Sequence, residues 1–192
     1  MGGSPLPRLM LVTDPAHGDV AARVRSALDA LPAGAAMVQL RDRGASARSL
    51  FSLAVRLRDV TTAKGALLVV SDRIDVALAV RADGVQLPEL GLPVAEARAL
   101  VGPLVLLGRS VHDPAGARRA AALGADYLVA APIFEVPGKG KPLGLGGLAE
   151  LCRAANMPTF ALGGVTPERA QACLDAGAHG VARQRDWLVS PG

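Results

Sequence analysis

Eight short apolar segments, separated by stretches of helical composition, constrain the fold of this 192-residue chain more than any other feature. Continuous apolar runs bounded by turn residues are typical of strands buried on both faces of a parallel sheet. The amphipathic stretches between them include residues 20–31, 45–63 and 114–123. The eight segments are residues 9–13, 37–40, 67–70, 84–87, 104–107, 127–130, 159–162 and 180–182.

Alternation of strand and helix alone fits either an open doubly wound sheet or a closed barrel. Eight repeats with a Gly-rich seventh unit favour closure. We therefore predict an α/β fold: a single-domain (β/α)8 TIM barrel over residues 1–192, with eight parallel strands and a short last helix.

Composition narrows the classes of function. No apolar run reaches the roughly 18 to 20 residues that cross a bilayer, and residues 1–7 lack the pattern of a signal peptide. We expect a cytoplasmic protein without membrane contact. The net charge of +4 comes from scattered basic residues, and aromatic residues that could stack on bases are few, so nucleic acid is not an expected partner. Cys152 and Cys173 lie in helical stretches without a CxxC spacing, and we expect two reduced, structural thiols.

Polar side chains concentrate where the predicted strands end. In a TIM barrel these ends form the active site, whatever the chemistry. Their cationic character indicates an anionic ligand. The polar and glycine residues at these ends include Gln39, Arg41, Arg43, Ser71, Asp72, Gln86, Arg109, Ser110, His112, Lys139, Gly163, Gly164 and Arg183.

Two patterns among these residues indicate a phosphate site. Gly163 and Gly164 stand between the seventh strand and a helix, where backbone N–H groups and the helix dipole attract phosphate. A tight turn that needs φ > 0 is the alternative explanation of this pair. Arg41 and Arg43 are two residues apart, so on a strand both face one side and can grip oxyanions, unless they are simply surface arginines.

His112 comes after residues 108–111, just past the fifth predicted strand, where an imidazole can accept and return a proton near neutral pH. By position alone, a structural histidine is the more common case. Asp72 is a single carboxylate, and one carboxylate does not define a Mg²⁺ site. Residues 135–147 are rich in Gly, too irregular for a helix or strand, and predict a long active-site loop; a tolerated surface insertion is the alternative.

Together, the motifs VQLRDR, VVSDRIDVALAVRADGVQLPELGLP, LGRSVHD, GADYLVAAPIFE, PLGLGGL and FALGGVTPERAQACLDAGAHGVA resemble the thiamin phosphate synthase superfamily. The resemblance runs from about residue 9 to residue 182. It implies a barrel that handles a phosphorylated thiazole. One branch of the superfamily joins thiazole phosphate to a pyrimidine pyrophosphate with Mg²⁺. The other, TenI-like branch isomerises thiazole carboxylate phosphate.

Departures from the synthase pattern favour the second branch. GVQLPELG stands where synthases typically read GVHLGQED, which puts Gln86 in the place of a histidine and Gly91 in the place of a metal-binding carboxylate. GRSVH resembles the tautomerases, in which the residue matching His112 is the proposed acid/base. One mismatch fits neither branch: the residues VARQRDW replace the small-residue turn that usually follows the eighth strand.

We therefore predict an isomerase, a thiazole tautomerase in which His112 moves the proton without a cofactor. Gln39, Arg41 and Lys139 or Lys141 would neutralise the substrate carboxylate, and Gly163, Gly164 and Arg183 would hold the phosphate. Arg43, Ser71, Asp72, Gln86 and Ser110 complete the predicted substrate site. The alternatives are a thiamin-phosphate synthase with Mg²⁺ at Asp72 and a non-catalytic regulatory relative. Exposed apolar helix faces make a homodimer plausible.

Overall fold

A computed structural model describes residues 6–184 and has the architecture of a closed, eight-stranded parallel barrel. The strands follow one another in chain order, and β1 pairs with both β2 and β8, which closes the barrel. The strands are β1 Leu9–Val12, β2 Ala36–Leu40, β3 Leu67–Ser71, β4 Gly84–Leu87, β5 Leu106–Val111, β6 Tyr127–Ala130, β7 Thr159–Leu162 and β8 Gly180–Arg183. The helices in the described part are α1 Val20–Asp29, α2 Ala47–Ala63, α3 Ile74–Ala79, α4 Val94–Val101, α5 Pro114–Ala122, α6 Gly144–Ala155 and α7 Pro167–Asp175.

The predicted TIM barrel is thus confirmed, and the largest corrections to its boundaries concern β5 and α6. The fifth strand begins at Leu106 and runs through Gly108, Arg109 and Ser110, which the apolar pattern of residues 104–107 excluded. These residues pair with β6 in regular register although their side chains are not apolar, because β5 reaches the polar end of the barrel. Helix α6 begins at Gly144, so the last residues of the predicted loop 135–147 are helical.

Side chains alternate between the barrel interior and the helix layer, as the period of a strand requires. The interior contains Met10, Val12, Val69, Tyr127 and Phe160 among its buried residues. Leu11, Val38, Leu68 and Val70 instead pack outward with the helices. Because both faces are buried, the strands read as continuous apolar runs in the sequence.

Gly108 lies in close contact with two side chains inside the barrel. A Cβ atom at this position would lie 2.2 Å from Cζ of Tyr127 and 2.2 Å from Oε1 of Gln86. Only glycine leaves room for the Tyr127 ring, which meets Phe160 edge to face at 5.7 Å between centroids.

Two aspartates, each bonded to an arginine and to a backbone N–H, link helices and strands at the N-terminal end of the barrel; we call these groups aspartate–arginine clasps. Asp83, just before β4, accepts from the backbone N–H of Leu68 at 2.7 Å and from Arg58 of α2 at 2.8 Å. Asp126, just before β6, repeats the arrangement with the N–H of Leu107 at 2.7 Å and Arg98 of α4 at 2.5 Å. Each clasp joins a helix, a strand and the start of the next strand through one half-buried carboxylate.

Cys152 in α6 and Cys173 in α7 are free thiols, as expected. Burial raises the pKa of both thiols, which favours their protonated form. No helix in residues 6–184 is long and apolar enough to cross a membrane. The predicted short last helix lies outside the described residues.

Candidate active site

A cavity of about 650 Å³ lies where the carboxyl ends of the parallel strands meet. Most of the predicted site residues line it: Gln39, Arg41, Arg43, Gln86, Ser110, His112, Lys139, Gly163, Gly164 and Arg183. Ser71, Asp72 and Lys141 are not among its lining residues, although Ser71 reaches it indirectly through Gln39. The cavity also includes Glu89 and Leu90, which the sequence did not single out.

Two buried amide side chains belong to this cavity. Nε2 of Gln39 donates to Oγ of Ser71 at 2.7 Å, and Nε2 of Gln86 donates to Oγ of Ser110 at 3.1 Å. These bonds fix both amides. The Oε1 atoms of Gln39 and Gln86 are buried and have no hydrogen-bond partner among the described residues. A buried carbonyl oxygen without a donor is costly, so the Gln39 amide suits a ligand that carries N–H groups.

A cationic wall follows β2. The Thr13 hydroxyl accepts from the Arg41 N–H at 2.8 Å and donates to the Arg41 carbonyl at 3.2 Å, which fixes the backbone at this arginine. Burial, followed by the nearby charge of Arg43, lowers the pKa of Arg41, with Asp14 acting in the opposite direction. Arginine nevertheless stays protonated, so a desolvated and repelled guanidinium gains from an anion in the cavity. Lys139, in the loop after β6, adds a third cation.

The glycine pair after β7 forms a second wall. Gly163 and Gly164 have φ values of 97° and 65°, so both adopt the left-handed conformation that favours glycine. They also approach the β6–α6 segment closely: a Cβ atom on Gly163 would lie 2.8 Å from Cα of Pro132. The turn explanation and the phosphate explanation of this pair are therefore compatible, since the turn faces the cavity beside Arg183, a buried residue at the end of β8.

His112 lies in the cavity wall directly after β5. Its Nδ1 contacts the carbonyl oxygen of Ala131, and because a carbonyl only accepts, Nδ1 carries the hydrogen. Its Nε2 lies 3.5 Å from Oε2 of Glu89. The sequence signal for Glu89 was its place two residues after β4, beyond the strand-end positions that the pattern singled out.

Asp72 stands without the second carboxylate that the synthase pattern places at Gly91. Its carboxylate is exposed and outside the cavity lining, and its charge acts on the Arg109 guanidinium. A Cβ atom on Gly91 would lie 3.1 Å from Oδ1 of Asp72 and only 2.8 Å from the Pro88 ring, so a second carboxylate cannot enter here without moving the loop. Residues 6–184 contain no group of three or more His, Cys, Asp or Glu side chains that could hold a metal.

Comparison with known proteins supplies the family. A family model described as thiamine monophosphate synthase matches residues 9–186. The chain belongs to this family.

Members of the thiamine monophosphate synthase family resemble the chain over most of its length. The thiamine-phosphate synthase of Gloeobacter violaceus is 45% identical over 185 residues, which are 95% of this chain and 53% of that relative. The chain thus spans about half the length of that protein. The thiamine-phosphate synthase of Methanoculleus marisnigri is 44% identical over 177 residues, 91% of this chain and 84% of the relative.

A solved structure agrees with this family assignment. The thiamine phosphate pyrophosphorylase from Pyrococcus furiosus superposes with a TM-score of 0.84 at 35% identity, covering 93% of this chain and 85% of that one.

These relatives correct the predicted enzyme class. The prediction of an isomerase was wrong, because the similar proteins are named thiamine-phosphate synthases, which are transferases. The prediction depended on short motifs around Gln86 and His112. The residues at those two positions line the cavity, but they do not determine which reaction takes place in it.

Proposed function

We propose that the chain is a transferase that makes thiamin phosphate from a pyrimidine pyrophosphate and a thiazole phosphate. In this reaction the carbon–oxygen bond between the pyrimidine methylene and pyrophosphate breaks, and its electron pair leaves with the oxygen. The thiazole ring nitrogen then donates its lone pair to the methylene carbon. A positively charged thiazolium and free pyrophosphate result, without any net proton transfer.

The observation that carries this proposal is the buried Oε1 of Gln39, without a partner among residues 6–184, in the same cavity as the cationic wall. An aminopyrimidine supplies the N–H group that this acceptor lacks. Its pyrophosphate suits Arg41, Arg43 and Lys139, whose charges stabilise the negative charge that grows on the leaving oxygen.

The second wall suits the other substrate. Backbone N–H groups of the Gly163–Gly164 turn and the guanidinium of Arg183 can hold the phosphate of the thiazole. Its ring would then lie in the same cavity as the pyrimidine methylene. The two anionic groups are thus bound by separate parts of one cavity, and catalysis consists of positioning and charge stabilisation.

The test is pyrophosphate release and thiamin phosphate formation by the purified chain, with Mg²⁺ present and again with EDTA. We expect turnover by wild type and a fall of about 10- to 100-fold in kcat/KM for Arg41→Ala, the range for a lost charge-assisted hydrogen bond. Arg48→Ala is the matched control, because Arg48 is exposed on α2 outside the cavity lining. A wild-type protein that binds thiazole phosphate without turnover in either buffer would overturn the proposal in favour of a binding protein.

A further inference from the structure

The loop that joins β4 to α4, residues 88–93, is held against the barrel by hydrogen bonds rather than by apolar packing. Leu90 at its tip is 97% exposed and Leu92 is 39% exposed, so burial contributes little to its position. The N–H of Gly91 donates to the Pro88 carbonyl at 2.9 Å, which closes a turn within the loop. Something else must fix the loop to the strands.

Arg109 of β5 supplies that attachment. Its Nη1 donates to the Leu92 carbonyl at 2.8 Å and its Nη2 to the Glu89 carbonyl at 2.5 Å, so one planar guanidinium holds both ends of the turn. Burial lowers the pKa of Arg109, while the charges of Glu89 and Asp72 act in the opposite direction. Arg109 is itself absent from the cavity lining, whereas Glu89 belongs to it.

The hydrogen bonds of Arg109 determine the position of Glu89 at the cavity wall. With its backbone held, Glu89 places its carboxylate 3.5 Å from Nε2 of His112, whose other ring nitrogen is fixed by the Ala131 carbonyl. A carboxylate in a cavity otherwise rich in cations opposes the binding of pyrophosphate. It favours a positive charge, and positive charge is what the transferred methylene carbon develops as pyrophosphate leaves.

We propose that Arg109 is a positioning residue that clamps the β4–α4 loop and so holds the Glu89 carboxylate in the cavity, where it stabilises the cationic transferred group. This inference rests on the proposed transferase function. It assigns Arg109 no contact with pyrophosphate and needs no metal ion at Asp72.

The first test is a double-mutant cycle of Arg109→Leu and Glu89→Gln, measured as kcat and KM for the pyrimidine pyrophosphate. Each single variant is expected to lower kcat by about 10- to 100-fold, the cost of misplacing or removing a transition-state charge. The double variant should be no slower than the slower single variant, because both remove one interaction. The KM for the pyrimidine pyrophosphate should stay level or fall, because the Glu89 carboxylate is either removed from the cavity or displaced from it, and it no longer repels the anion. A raised KM for Arg109→Leu, or fully additive losses in kcat, would overturn the proposal.

The matched control is Arg98→Leu, which removes another arginine that holds loop carbonyls, those of Gly102 and Val105, at the other end of the barrel. This variant should lower the free energy of unfolding but leave the kcat of the folded enzyme unchanged. Adding Glu89→Gln to it should lower kcat by the same factor as in wild type. Loss of kcat in Arg98→Leu equal to that in Arg109→Leu would reduce the role of Arg109 to general stability.

Hydrogen exchange separates this inference from the proposed function. The Gly91 amide should be protected in wild type and in Arg98→Leu, and should exchange at least about tenfold faster in Arg109→Leu because the loop opens locally. If wild type released no pyrophosphate but the Gly91 amide exchanged faster only in Arg109→Leu, the transferase proposal would fail, whereas the role of Arg109 in holding the loop would be supported. If the Gly91 amide exchanged equally in all three proteins, the clamp would be refuted whatever the activity.

Discussion

At the scale of single residues, the described structure separates side chains that line the cavity from side chains that only follow a strand. Gln39 and Ser71 both stand at strand ends, yet Gln39 lines the cavity and Ser71 supports it by accepting its amide hydrogen. Asp72 is exposed outside the lining and adopts φ of 62°. Sequence position identifies the end of a strand, but the conformation of the next residue decides where its side chain goes.

Asp72→Asn is therefore expected to change kcat/KM by less than about fivefold, the range of an exposed charge interaction. Asparagine has the same shape and tolerates the left-handed conformation, so the fold is not perturbed. The measurement is turnover over a range of Mg²⁺ concentrations, with calorimetric titration of Mg²⁺ into both proteins. A larger loss, together with weaker Mg²⁺ binding by the variant, would contradict this prediction and place Mg²⁺ at Asp72.

At the scale of elements, the strands were predictable because burial on both faces leaves an apolar signal. The apolar signal ends where a strand leaves the apolar core. For this reason the prediction missed the part of β5 that contains Arg109 and Ser110. Helix α6 begins among glycines that favour a loop, but Leu148 and Leu151 bury its inner face and tertiary packing overrides propensity. Glu89 was missed because its neighbours in the β4–α4 loop carry no periodic pattern.

The Gly163–Gly164 turn allows a prediction at this scale. Gly163→Ala should lower the free energy of unfolding by about 1–3 kcal/mol, because alanine resists positive φ, and its Cβ would also collide with Pro132. Displacement of the turn should also weaken the binding of thiazole phosphate. Thermal unfolding and calorimetric titration measure the two effects.

Gly146→Ala is the control for this substitution. Gly146 lies in α6 with open space around a Cβ atom and without a positive φ. This variant should gain about 0.5–1 kcal/mol in stability and bind thiazole phosphate normally. If both alanine variants changed stability and thiazole phosphate binding equally, then neither the positive φ of Gly163 nor its close contact with Pro132 would matter for the turn.

At the scale of the whole molecule, the barrel was predictable from eight repeats, whereas assembly was not. The predicted homodimer stays a prediction. The barrel interior allows a specific prediction about stability. The Tyr127 hydroxyl is fully buried without a hydrogen-bond partner in residues 6–184, and burial raises the pKa of this group, which keeps it protonated.

Tyr127→Phe should consequently raise the free energy of unfolding by about 1 kcal/mol, because it removes a buried polar group that nothing satisfies. Tyr127→Leu should lower it by about 2 kcal/mol or more, since the edge-to-face contact with Phe160 and the filled volume are both lost. Urea unfolding of the three proteins measures the differences. Destabilisation by Tyr127→Phe would mean that the hydroxyl is hydrogen-bonded in solution.

The two aspartate–arginine clasps have a consequence for how the chain could be rearranged. Asp83 and Asp126 repeat the same attachment in successive pairs of strands, each complete within its own stretch of sequence and each at the face away from the cavity. New termini opened in the β4–α4 loop would leave both attachments whole. Circular permutation there should therefore abolish turnover before it abolishes folding, because the new ends would lie only at the reactive face of the barrel.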